Sequence, residues 1–124
     1  MNMYLRLTAL IFLLGLAPGL NATERLTMVV SPSKAMAPAT IRVRLGVAPA
    51  AENRVLDVVA DSGDFYRSSQ IPLDGERAPH TIVVEFLNLP GGAYVVNGTL
   101  RDASGHRNGS VFEAVTVISS AGER

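Results

Sequence analysis

His80 and His106 are the only imidazoles in this 124-residue chain, and no cysteine accompanies them. A hydrolytic triad needs a nucleophile, a base and an orienting acid within hydrogen-bond reach. Ser68, Ser69 and Ser104 could supply hydroxyls, but none stands in a recognisable nucleophile motif, and the two histidines fall in different expected loops. Zinc sites draw on Cys and His at characteristic spacings, which two distant histidines do not meet. Asp57, Asp61 and Asp64, with Asp74 from another loop, could offer carboxylate oxygens to calcium, which takes roughly six to eight of them. Their spacing matches no EF-hand loop and suits aspartates that brace turns. A small hydrolase or metal-dependent enzyme is thus the weakest reading. The sequence names no catalytic, cofactor-binding or metal-binding residue and implies no cofactor.

The pair Gly91-Gly92 raises the question of an anion cradle. Such a loop sits between a strand and a helix N-terminus, so that amides converge on a phosphate. Here Pro90-Gly91-Gly92 leads into the apolar run 93–101, and no lysine or Ser/Thr follows in the phosphate-loop positions. A chain reversal is the simpler account: Pro90 lacks a ladder donor and the glycines adopt positive φ cheaply.

The elements that would carry these residues are all strands. Apolar residues alternate and breakers recur at short intervals, which predicts an all-β domain. Seven strands are expected, over 26–30, 40–47, 54–61, 65–71, 81–87, 93–101 and 110–118. Pro32 and Pro38 bracket a connection between the first two, and 65–71 reads as an edge strand. Period two turns Ile41, Val43, Leu45 and Val47 inward, with Leu56, Val58 and Ala60, then Ile82, Val84 and Phe86, then Tyr94, Val96, Gly98 and Leu100. In the last strand Val111, Val115 and Val117 compete with Phe112, Ala114 and Ile118 for the inward face. Arg42 and Arg44 point outward, near outward Glu85 if the second and fifth strands pair, so a cross-strand charge pair explains them better than a polyanion surface does.

The phrase Phe86-x-x-Leu89-Pro90-Gly91-Gly92-x-Tyr94-x-Val96, followed by Asp102-Ala103-Ser104-Gly105, resembles the last half of bacterial immunoglobulin-like and fibronectin type III-like domains. The likeness covers roughly residues 80–118 through motifs and the earlier strands only through spacing. It implies a seven-stranded immunoglobulin-like β-sandwich with Greek-key connections. In it, Pro90, Gly91, Gly92 and Tyr94 form a structural corner, with the tyrosine hydroxyl bonded to nearby backbone. The absence of tryptophan and of a cysteine pair departs from the antibody type. The family implication is non-catalytic, and the fold alone hosts many roles. Spacing alone leaves a small barrel open as the alternative.

Residues 1–22 read as a secretory signal peptide: Arg6, then an apolar run over 7–20, then Leu20-Asn21-Ala22 before a polar start. The run falls short of the roughly 20 residues of a spanning helix. Residues 23–124 are then one domain. Without Arg6 the 11 basic residues fall one short of the 11 acidic ones, which steers the chain to neither nucleic acid nor anionic membrane. An exported, cysteine-free domain of about 100 residues must hold together by packing alone. Composition suggests a bacterium, with the protein in the periplasm or outside the cell. Two sequons, at Asn97 and Asn108, would matter only in a eukaryotic chain.

The expected function is a small exported non-enzymatic binding module for protein–protein recognition in the envelope. The alternative is a structural or spacer component. Outward Val55, Val59 and Val95, joined by Phe112 if the last strand turns that way, form the candidate partner patch, since exposed apolar groups mark partner surfaces. Free sheet edges allow a partner strand or a homodimer without requiring either.

Overall fold

The computed structural model describes residues 25–119. The expected signal peptide at 1–22 therefore lies outside the described residues. Eight strands form two sheets: β1 (Leu26–Ser31), β2 (Lys34–Met36), β3 (Ala39–Val47), β4 (Val55–Asp61), β5 (Tyr66–Pro72), β6 (Thr81–Leu89), β7 (Gly92–Arg101) and β8 (Arg107–Ile118). One sheet has the order β1-β3-β6 and the other β2-β8-β7-β4-β5. A single 3-10 turn, Gly75–Arg77, interrupts the connection from β5 to β6.

The count of eight corrects the expected seven. Residues 34–36, read as part of a proline-bracketed connection, form β2, which pairs parallel to β8 through Lys34, Ala35 and Met36. The prolines flank this strand rather than entering it, and a short edge strand tolerates them. The chain thus leaves one sheet at Ser31 and joins the other at Lys34.

The inward residues expected from period two are inward. Ile41, Val43, Leu45, Leu56, Val58, Ala60, Val96 and Leu100 are fully buried between the sheets, with Tyr94, Phe86 and Leu89 beside them. The ambiguity in β8 resolves cleanly: Val115 and Val117 are buried, while Phe112 and Ile118 are exposed. The sheets approach closely at Gly98, where a Cβ would lie 2.9 Å from Leu45 Cδ2 and 3.1 Å from Met28 Cε. Hydrogen would be the only side chain that fits there without repacking.

β6 runs two residues past its expected end. Ile41 faces Phe86 while Ala39 faces Leu89, so three steps on β6 match two on β3. The extra residue is taken up at Asn88, which has φ 59°. This bulge lets both Phe86 and Leu89 face the core, although strict alternation would send Leu89 outward. Asparagine tolerates the left-handed region better than most residues.

Candidate functional site

The corner after β6 is built differently from the expectation in one respect. Asn88 holds the positive φ, whereas Gly91 and Gly92 do not. Their need for glycine is steric. A Cβ on Gly91 would stand 3.1 Å from Ser119 Cα and N and collide with its Oγ, and one on Gly92 would stand 3.1 Å from Ser62 Cβ. The glycines let the β4–β5 turn and the end of β8 close on the corner. Tyr94, only 1% exposed, donates its hydroxyl hydrogen to the Pro90 carbonyl at 2.7 Å. The tyrosine therefore pins the proline that ends the preceding strand, and no anion cradle is formed.

The outward face of the five-stranded sheet gathers most of the candidate patch. Val59 lies opposite Asn97, which lies opposite Phe112, and Val95 lies opposite Ala114. Phe112 is 70% exposed and Val95 42%, while Val59 is half-buried. Tyr66, paired with Asp61 across β4–β5, extends this face at 61% exposure, and Met36 and Ile118, paired across β2–β8, extend it on the other side. Val55 stands apart. It is half-buried at the far end of β4, opposite Arg101, with Asp57 between it and Val59. The structure thus brings three of the four residues onto one stretch of surface and sets Val55 beyond a polar cluster.

That cluster has no signature in the sequence. Asp57 Oδ2 accepts from Arg101 Nε at 2.8 Å and Oδ1 accepts from Gln70 Nε2 at 3.0 Å. Asp57 is opposite Gln70 on one side and diagonal to Arg101 on the other, within reach of long side chains across a sheet. Only the strand register reveals it, because Asp57 and Arg101 are 44 residues apart.

The other candidates are turn and surface residues. Asp61 braces its turn by accepting from Gly63 N at 2.8 Å. Asp102 accepts from Ser104 Oγ at 2.7 Å and from the backbone N–H groups of Ser104 and His106. The Ser104 hydroxyl and then the His106 amide hold its carboxyl below the ordinary aspartate range. His106 is thereby engaged through its backbone in the β7–β8 turn, and His80 precedes β6 with its carbonyl accepting from Val47 N. Ser68 and Ser69 lie on β5. Among the described residues, no group of three or more His, Cys, Asp or Glu comes together. Arg42 meets Glu85 at 2.9 Å as a cross-strand pair, as its register requires. Asn108 Nδ2 is buried without a hydrogen-bond partner among the described residues, so that sequon does not present its amide to solvent.

The edges of the five-stranded sheet are blunted. β5 turns Arg67 and Ser69 toward the interior side, and Arg67 donates to the Leu87 carbonyl of β6 at 3.2 Å while lying over the Phe65 ring. β2 is three residues long. Inward charge, shortness and flanking proline all discourage strand addition.

No family model matches the chain, and no curated protein matches it significantly. Solved structures do resemble it in fold. A superoxide reductase (neelaredoxin) from Ignicoccus hospitalis superposes with a TM-score of 0.60 at 13% identity, covering 83% of this chain and 88% of that one. A family 76 glycoside hydrolase from a bovine Bacteroides thetaiotaomicron strain matches with a TM-score of 0.53 at 16% identity, covering 74% of this chain but 20% of that one. The likeness is one of all-β fold.

Proposed function

We propose that this protein is an exported, non-enzymatic recognition module with an immunoglobulin-like sandwich fold, binding a protein partner in the bacterial envelope. The fold part is supported by the strand order β1-β3-β6 against β2-β8-β7-β4-β5 and by the Tyr94–Pro90 hydrogen bond, which has the form of the tyrosine corner of such sandwiches. Export is supported by the sequence pattern of residues 1–22.

The observation that carries the binding reading is the outward face of β7, β8 and β2. There Val95, Phe112, Ile118 and Met36 are each more than 40% exposed. Scattered surface valines need no explanation, but an aromatic and three aliphatic side chains on neighbouring strands of one sheet suit a partner surface. The blunted edges of the five-stranded sheet favour docking on its face over strand addition to it. A tagged protein should retain a partner from envelope extract. Val95→Glu or Phe112→Glu should lose it with an unchanged melting temperature. Retention of nothing by the wild type would leave the spacer reading in place.

A further inference from the structure

A shallow cleft of about 430 Å³ lies on the same sheet but at its β5–β4–β7 side, walled by Asp57, Tyr66, Ser68, Gln70, Thr99 and Arg101. Its volume falls in the range of small-molecule sites, roughly 300–1,000 Å³. We infer that this cleft binds a neutral oligosaccharide. The inference goes beyond the protein-binding reading, whose surface centres on Val95 and Phe112 toward β8 and β2 and meets the cleft only at Val59.

The chemistry of the walls selects the ligand. Asp57 and Arg101 are paired at 2.8 Å, so an incoming anion meets the carboxylate and an incoming cation meets the guanidinium. An uncharged ligand meets neither penalty. The polar groups are also fixed in advance. Gln70 and Arg101 both hold Asp57, and Arg101 Nη1 donates to the Gly105 carbonyl at 3.3 Å. Preorganised groups lose little freedom on binding. Each carboxylate oxygen retains a further acceptor site, and the hydroxyls of Ser68 and Thr99 can both donate and accept, which matches a ligand whose hydroxyls do the same. Tyr66, 61% exposed on β5, offers an amphipathic ring against which the C–H face of a sugar ring can pack. The floor of the cleft is β4, paired with β5 and β7 on its two sides, so its backbone cannot take a peptide as an added strand. The polar lining equally disfavours an acyl chain.

Protein purified from cells expressing the full chain, with amide resonances assigned, tests this with cellotetraose, mannotetraose, xylotetraose, chitotetraose and, as the anionic control, tetragalacturonate. At least one neutral tetrasaccharide should shift the amide signals of Tyr66, Ser68, Gln70 and Arg101 saturably. Tyr66→Ala should weaken that binding by about tenfold, and Gln70→Ala should weaken it too. Phe112→Glu, on the protein-binding side, should leave it unchanged, so the two readings fail separately. The inference is overturned if no neutral probe shifts these signals at millimolar concentration, if tetragalacturonate binds more tightly, or if binding ignores both cleft variants.

Discussion

Tyr94→Phe removes one oxygen from a buried corner of the protein. The ring stays in place, being 1% exposed and surrounded by the core, so no cavity opens. The loss includes the 2.7 Å bond from the hydroxyl to the Pro90 carbonyl. A typical intramolecular hydrogen bond contributes about 0.5–1.5 kcal/mol net, and stranding a buried partner adds to that. Pro90 is only half-buried, and the cost should sit near ~1 kcal/mol rather than at the upper limit. For a domain of about 100 residues that corresponds to a fall in Tm of about 4–8 °C. Urea unfolding should show a lower midpoint with an unchanged slope. Tyr94→Ala also empties the ring's volume and should cost about 3–5 kcal/mol, as large aromatic truncations do. A Tyr94→Phe protein as stable as the wild type would refute the corner as a stabilising element. A stable variant that had lost partner binding would make the corner part of the site.

Two further perturbations probe the packing and the turns. Gly98→Val pushes a branched side chain toward Leu45 and Met28 of the facing sheet and should cost about 1–3 kcal/mol in chemical unfolding; a neutral result would mean that the sheets can separate freely there. Asp102 tests the β7–β8 turn. Its carboxyl is depressed first by the Ser104 hydroxyl and then by the His106 amide. A depressed carboxyl supports the folded turn above its unfolded pKa and loses that support as pH falls through the folded value. The Ser104 and His106 amide resonances should therefore titrate with a midpoint below about 3.9, and a midpoint at or above it would contradict the bonding scheme.

Residues with strict period two are legible in the amino-acid sequence. Ile41 to Val47 and Tyr94 to Leu100 each point one alternating set into the core, and Arg42 finds Glu85 because facing strands in register oppose their outward residues. Tyr94 is legible too, because its place after a proline and two glycines is a local signature. The bulge at Asn88 is not, since it breaks the alternation by which strand faces are assigned. Nor are the reasons for Gly91 and Gly92: a close approach by Ser119 and Ser62 leaves no local trace, and the expected positive φ belongs to Asn88 instead. β2 is hidden because three residues between prolines carry too little pattern to declare a strand. The face divides in the same way. Val59, Val95 and Phe112 share a surface, but Val55 is cut off by Asp57 and Arg101, whose meeting depends on which strands are neighbours.

The central claim is that the outward face of the five-stranded sheet is the recognition surface. Site-specific photo-crosslinking in living cells tests it most directly, with the crosslinker placed in turn at Phe112, at Val95 and at Val83, an exposed residue of the opposite sheet. The account predicts a discrete adduct from positions 112 and 95 and none from 83. An adduct from position 83 with none from 112 or 95 would contradict it.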